Sequence, residues 1–340
     1  MLFIKFAFTI RKYNYPIFIT KIIPMKHLKT FLAICMLSLF SFGSVYGQDL
    51  AAATELYNAG AAALNTNNYP GAIDSFNKAL KMLETLGEEG ATLSKECKDI
   101  LPKIYLRYGK ELANSKDIDN ALIQIKKAVE TAKANSMADV EKEATDLIPQ
   151  ILMADATSCL NEGKFAEAIT VYKKLIARDP ENATAYLRIG MCEARLNNEE
   201  GAIAAFEKAI QLGDKEDASK QLSVVYLKRS AAATKTKNWA VVYENAKKSN
   251  QYAESGQANK LIGLSGVQLK KFDEAIAALE SYLAEDPNAK DKNSTIYNLA
   301  VAFEGKKNPG KACGYYKQLL SDPTYKAIAE YKVKTELKCK

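Results

Sequence analysis

The chain has 340 residues, of which 47 are Lys or Arg, 40 are Asp or Glu and one is His, so its formal net charge is +7. Six of the basic residues and no acidic residue lie in residues 1–47, so the rest of the chain is almost neutral. Interspersed charges of both signs give no sustained field toward a phosphate backbone, which argues against a nucleic-acid partner. His27 also lies in residues 1–47, so the remainder lacks the imidazole used in Ser–His and Cys–His catalysis and in His-ligated zinc sites. We expect no enzyme active site, no cofactor and no metal.

The segment 25–47 has the features of a secretory signal peptide. It begins with two lysines, continues with the apolar stretch Phe31–Phe42, and ends in the small-residue signature Val45-Tyr46-Gly47. We expect cleavage near Gly47 and Gln48, and a mature protein that is periplasmic or secreted.

Residues 1–24 are interpreted as an upstream extension, with Met25 as the natural start. An uncleaved anchor is the main alternative, but the apolar stretch spans only about 18 Å as a helix, against roughly 30 Å of hydrocarbon. A lipid-modified Cys35 is a further alternative, but Ile34 stands where that modification needs a small residue. We expect no transmembrane span after cleavage, and peripheral association with the envelope stays open.

From residue 48 to 323, one pattern recurs seven times: a small residue followed four positions later by a larger one. Small residues at this spacing let two helices approach closely, and the larger side chain packs one turn along the same face. Two of the small residues, Ala168 and Ala202, are 34 residues apart. The first residues of the seven copies are Ala72, Ala121, Ala168, Ala202, Val242, Ala275 and Ala312.

Upstream of each copy a second pattern is visible, for example Tyr186, Ile189 and Gly190, and Asp-Pro follows two of the copies at 179–180 and 286–287. Together with the 34-residue spacing, these patterns resemble the tetratricopeptide repeat family. The resemblance implies an all-α, right-handed superhelical solenoid of about seven helix–turn–helix repeats over residues 48–323. A capping helix is expected over residues 324–340.

Two regions depart from the pattern. The first two spacings are longer, and we expect extended helices there, each with a kink or restart at Pro102 or Pro149. The fifth copy is the weakest, with Val242 and Ala246 at the two positions of the pattern. The neighbouring Trp239 is interpreted as a packing residue rather than a ligand contact.

Residues 305–312 nearly match a phosphate-binding loop, but Ala312 replaces the required hydroxyl residue and no strand precedes it, so a turn between helices is expected. The cysteines after residue 47 include no CxxC pair, which argues against a zinc site. We predict a disulfide between Cys313 and Cys339 that fastens the cap. Cys159 and Cys192 are either a second pair or buried thiols, and thiols are favoured.

In the tetratricopeptide family the first helices usually line a groove that receives a protein segment. The repeat register gives a mixed apolar and basic lining, suited to a protein or peptide with some acidic character. The sequence therefore predicts a protein-binding scaffold or assembly factor of the bacterial envelope. The alternatives are a glycan or small-ligand receptor using the same groove, a self-associating structural subunit, or an ordinary solvated face. The candidate groove residues are Tyr57, Leu106, Lys110, Met153, Leu187, Met191, Leu227, Lys260, Leu264, Tyr297 and Val301.

Overall fold

The computed structural model describes residues 45–340, with side chains from Gln48 onward. The predicted extension 1–24 and all but the last three residues of the predicted signal peptide 25–47 lie outside this part. The described chain is helical throughout, which confirms the all-α prediction. Its helices are α1 (Val45–Asn65), α2 (Tyr69–Leu83), α3 (Ala91–Asn114), α4 (Ile118–Ala134), α5 (Ala138–Asn161), α6 (Phe165–Ile176), α7 (Ala183–Arg195), α8 (Glu199–Gln211), α9 (Lys215–Lys235), α10 (Trp239–Tyr252), α11 (Gly256–Gln268), α12 (Phe272–Glu285), α13 (Lys292–Gly305), α14 (Pro309–Gln318) and α15 (Lys326–Tyr331).

The helices divide into two compact units, with the boundary between Asp155 and Ala156, inside α5. In the first unit α1 packs on α2, α2 on α3 and α3 on α4. In the second unit each helix from α6 to α14 packs on the next. Each predicted copy of the pattern lies on an even-numbered helix from α2 to α14. We therefore number seven repeats in chain order and refer to the odd-numbered helices as first helices and the even-numbered helices as second helices.

The turn inside every repeat has the same backbone form. One residue, five positions before the repeat's small residue, has a positive φ. The N–H of the next residue donates to the carbonyl five positions earlier, as Asn198 does to Glu193 at 2.9 Å. These are the marks of a Schellman ending, which satisfies the last carbonyls of the first helix. The left-handed residues are Asn67, Lys116, Gly163, Asn197, Lys237, Lys270 and Lys307.

Close helix approach inside a repeat depends on a small residue of the first helix. A Cβ placed on Gly190 would lie 2.6 Å from the ring of Phe206, which is fully buried. A Cβ on Gly109 would lie 2.5 Å from Ile125, and one on Gly60 would lie 2.8 Å from Phe76. In each pair the large residue follows the glycine by 16 positions. The packing role predicted for the repeated pattern is confirmed.

Both helices that contain an internal proline continue through it. α3 includes Pro102 and α5 includes Pro149, and neither helix ends or restarts there. The sequence predicted either a kink or a helix restart at each proline, and the restart is wrong. The extended length expected for these helices is confirmed, since each has 24 residues against 13 for α7.

The capping segment is shorter and less regular than the helix expected over residues 324–340. Asp322 Oδ1 accepts the N–H groups of Thr324 and Tyr325, so these residues form a turn and α15 begins only at Lys326. A π-helical turn, Lys332–Glu336, follows α15. The last residues then return toward α14, where Lys317 Nζ donates to the carbonyl of Lys340 at 2.5 Å.

The cap is held to repeat seven by a disulfide and by a half-buried ion pair. The structure joins Cys313 of α14 to Cys339, the pair named from the sequence. Lys332 Nζ lies 2.6 Å from Glu304 of α13, and Glu304 also accepts the hydroxyl of Tyr316 at 2.9 Å. Burial acts to raise the pKa of Glu304, but these two donors outweigh burial and hold that pKa below its usual value.

Other sequence expectations concern cysteines, the near-match to a phosphate loop and membrane spans. Cys159 and Cys192 do not pair with each other. Cys192 is a fully buried thiol, as favoured above, whereas Cys159 is only half-buried. Residues 305–312 join the end of α13 to the start of α14, so the prediction of a turn is confirmed. Within residues 45–340, no helix combines the length and the apolar character that crossing a bilayer requires.

Candidate binding surface

The first helices of the second unit lie side by side. α7 contacts α9, α9 contacts α11, and α11 contacts α13, in addition to each helix packing on its own second helix. Residues of these four helices that point away from the second helices therefore share one surface. Repeats four to seven contribute one helix each, so the surface extends across four repeats.

One half-buried apolar residue from each of these helices forms what we call the apolar row: Met191, Leu227, Leu264 and Val301. Three of them directly follow the small residue of the first helix, as Met191 follows Gly190. Leu227 instead packs partly against the buried cluster around Tyr243. Each side chain thus rests on the core and leaves part of its surface to solvent. Val224, which the sequence reasoning missed, lies three positions before Leu227 and is 47% exposed.

The two lysines predicted in the lining are already ion-paired. Lys110 of α3 lies 2.5 Å from Glu143 of α5. Lys260 of α11 pairs with Asp291 and lies 5.8 Å from the ring centre of Tyr282. Because their charges are neutralised inside the protein, these lysines give a partner less electrostatic attraction than the sequence suggested.

Asp291 is the centre of the second pair. The Tyr282 hydroxyl also donates to Asp291, at 2.6 Å. Burial acts to raise the pKa of Asp291, but the donors Lys260 and Tyr282 outweigh it and keep that pKa below its usual value. Burial, followed by the bond to Asp291, raises the pKa of Tyr282 to about 12. At neutral pH the carboxylate is therefore charged and the phenol keeps its proton.

Two of the predicted residues are not available to a partner. Leu106 is 6% exposed and Leu187 is 7% exposed, so both belong to the core. The repeat register places Leu106 on the same helix face as Lys110, and Leu187 on the same face as Met191. The closely packed adjacent helices cover that part of the face, which corrects the expectation that these two line a groove.

The aromatic and remaining residues lie half-buried. Tyr57 presents its ring edge-on to Phe76 at 5.2 Å. Tyr297 stacks on Tyr325 at 5.0 Å, so one face of its ring is covered by the capping segment. Met153 is half-buried on α5, in the first unit. Trp239 packs against the cluster around Val242 and Tyr243, which confirms its interpretation as a packing residue.

Two shallow depressions lie away from the apolar row. One, of about 270 Å³, is lined by Lys247 and Glu274, which pair with each other at 2.8 Å. The other, of about 420 Å³, lies between α2, α3 and α4 and includes Tyr105. Asn77 donates to the Tyr105 hydroxyl at 3.2 Å, and Lys127 covers its ring. The polar groups of both depressions are thus largely engaged within the protein.

The described chain is a helical-repeat protein: paired helices are joined by a recurring turn form, and the pairs stack on one another within each unit. Residues 154–217 match the family model described as tetratricopeptide repeat. The turn form found inside that region recurs in all seven helix pairs, so the fold of the described chain is that of a tetratricopeptide-like helical repeat. No curated protein sequence matches the chain.

Several solved tetratricopeptide structures are similar to part of the chain. YrrB, described as a TPR protein with an unusual peptide-binding site, is 20% identical over 53% of this chain and 90% of its own, with a TM-score of 0.36. MamA is 21% identical over 55% of this chain and 95% of its own, with a TM-score of 0.35. MamA from Desulfovibrio magneticus RS-1 is 17% identical over 51% and 93%, with a TM-score of 0.34.

Proposed function

We propose that this protein is an exported, non-enzymatic scaffold that binds a segment of another protein along the first helices of repeats four to seven. The observation that carries the proposal is the apolar row, which places one half-buried apolar side chain on each of four adjacent helices. A row of this kind suits the alternating or helically spaced apolar side chains of a bound segment. Location in a bacterial envelope is part of the proposal and rests on the leader sequence.

The structure shifts the expected partner chemistry from acidic toward apolar. Lys110 and Lys260 are both paired with carboxylates, whereas the apolar row and Val224 retain solvent-accessible surface. Partly exposed apolar side chains gain free energy when a partner removes them from water, by roughly 25 cal/mol per Å². Contacts with the row should therefore dominate the affinity.

The row also favours a protein segment over a glycan. Sugar rings typically stack on open aromatic faces, and the aromatic residues predicted for the groove do not offer a continuous series of them. Tyr297 is stacked on Tyr325, and Tyr57 lies on α1, in the first unit. A glycan receptor is therefore the second hypothesis, after a scaffold that binds a protein segment.

In-cell photo-crosslinking from the row tests the proposal. A benzophenone amino acid is placed at Leu264 or Val301, with Ala204 and Ala277 as matched controls because both are exposed on second helices. We expect a protein crosslinked from the first pair and absent from the controls. Leu264→Glu should then weaken binding of that protein, whereas Ala277→Glu should not.

Three results would contradict the proposal. Equal crosslinking from both helix types would remove the special role of the row. Crosslinks only to a second copy of the chain, with a dimer in light scattering, would favour the structural-subunit alternative. The absence of any protein partner, together with a rise in melting temperature on addition of a glycan, would favour the receptor alternative.

A further inference from the structure

The charges of the second unit are unevenly distributed. Residues 156–340 contain 29 Lys or Arg and 23 Asp or Glu, whereas residues 48–155 contain 12 and 17. Residues 156–340 therefore carry a net positive charge and residues 48–155 a net negative charge, and the two nearly cancel. A positive field is therefore absent from residues 48–340 taken together but not from the second unit.

Within the second unit, lysines concentrate in the turns inside repeats five, six and seven. We name this set the lysine ridge. All of its members are exposed. Three of the six occupy the left-handed position of a turn, and two more, Lys271 and Lys306, are adjacent to it. The lysine ridge consists of Lys235, Lys237, Lys270, Lys271, Lys306 and Lys307.

Direct contacts show that the three turns are neighbours. Lys271 Nζ of repeat six lies 3.9 Å from the ring centre of Tyr243 in repeat five. Lys306 of repeat seven pairs with Asp273 of repeat six. A Cβ on Gly305 would clash with the ring of Phe272, so the turns of repeats six and seven are closely packed. The lysines therefore form one continuous surface.

Most of the ridge charge is not neutralised within the protein. Lys235, Lys237, Lys270 and Lys307 pair with no carboxylate of the described residues. Lys271 is only 3.9 Å from Glu244, at the limit of an ion pair. Clustered like charges repel each other, so the arrangement is destabilising unless an anionic surface offsets it.

The opposite edge of the unit, formed by the turns between repeats, has the opposite sign. The turns that form it, from residue 178 to residue 326, contain ten carboxylates and five basic residues. The carboxylates are Asp179, Glu181, Asp214, Glu216, Asp217, Glu254, Glu285, Asp286, Asp291 and Asp322. Opposed edges of this kind would orient the unit in the field of a charged surface.

We propose that the lysine ridge binds the surface of an anionic phospholipid bilayer, with the acidic edge directed away from it. Headgroup phosphates attract each lysine that lies near the bilayer surface. A protein partner would instead require a desolvated apolar centre. The ridge has none: its nearest large exposed apolar side chains, Leu196 and Val241, are single residues at 46% and 40% exposure. The proposal does not depend on the apolar row.

Vesicle binding with charge-matched variants tests the proposal. The ridge variant carries Lys235→Gln, Lys237→Gln, Lys270→Gln and Lys307→Gln. The control variant carries Lys215→Gln, Lys290→Gln, Lys292→Gln and Lys326→Gln, four exposed lysines at the opposite edge that lose the same charge. All proteins are full-length, so any contribution of residues 1–47 is common to them. Circular dichroism checks that the helices are retained.

The expected result is binding of the wild-type chain to vesicles of phosphatidylcholine with roughly a third phosphatidylglycerol, weakened at high ionic strength. The ridge variant should bind at least about ten-fold more weakly, and the control variant within about two-fold of wild type. Equal losses in both variants, or no loss in the ridge variant, would overturn the proposal. So would tighter, ridge-dependent binding of duplex DNA under the same conditions, which would reassign the ridge to nucleic acid.

Discussion

Repeats four and five hold their two helices together in different ways. In repeat four, Gly190 of α7 faces the ring of Phe206, and the helices meet through apolar contact. In repeat five the corresponding residues are Ser230 and Ala246, and Ser230 Oγ donates to the carbonyl of Val242 at 2.7 Å. In repeat five the two helices thus meet through a hydrogen bond from a side chain to the backbone. At the same position in repeat four they meet through a glycine and an aromatic ring.

A second polar contact joins the two helices of repeat five. Ser223 and Ser249, both buried, share a hydrogen bond of 2.9 Å, and Ser249 Oγ also donates to the carbonyl of Ser223 at 3.0 Å. The tetratricopeptide model match ends at residue 217, before this region. Buried hydroxyl groups can therefore lie between the two helices of a repeat when each has a hydrogen-bond partner.

The largest expected difference between the two repeats comes from removing the large residue. Phe206→Ala should lower the free energy of unfolding by about 3–5 kcal/mol, because it leaves a cavity beside Gly190 that the close-packed helices cannot fill. The matched change in repeat five, Ala246→Gly, should cost only about 1–2 kcal/mol. Urea denaturation followed by circular dichroism measures both. Equal losses would mean that Phe206 has no special role in closing repeat four.

The hydroxyl pair gives the second test. Ser249→Ala should cost about 1–3 kcal/mol, because it leaves the buried Ser223 oxygens with fewer donors. Ser223→Ala combined with Ser249→Ala should cost less than the sum of the single changes, since both remove the same bond. Fluorescence of Trp239, the single tryptophan of the chain, follows unfolding of repeat five in urea.

Repeat four provides the reciprocal control. Ala209, which is fully buried, occupies the position of Ser249. Ala209→Ser should be destabilising, because Ala183 stands in repeat four at the position of Ser223, so the new buried hydroxyl lacks the hydroxyl partner that Ser249 has. If Ala209→Ser were neutral while Ser249→Ala was costly, the polar partners of repeat five would not explain the difference between the repeats.

The sequence predicted those parts of the fold that depend on local spacing. All seven second helices, the packing role of Gly190 and the pairing of Cys313 with Cys339 follow from periodic small residues and from chain position. The candidate surface was predicted less well because exposure depends on the neighbouring helix. Leu187 and Met191 are four positions apart on one face, yet the first is buried and the second is not. Likewise, nothing local to Lys260 shows that Asp291, 31 positions later, neutralises it.

The smallest expected difference lies in the turns. Lys237 of repeat five and Asn197 of repeat four both have positive φ, 54° and 60°. A lysine in this conformation costs about 1 kcal/mol because its Cβ crowds the backbone, whereas asparagine is tolerated better. Lys237→Gly should therefore raise the free energy of unfolding by about 0.5–1 kcal/mol, and Asn197→Gly by less, in the same urea measurement. A larger gain at Asn197 would show that the bond from its neighbour Asn198 to Glu193, rather than backbone conformation, limits the stability of the turn.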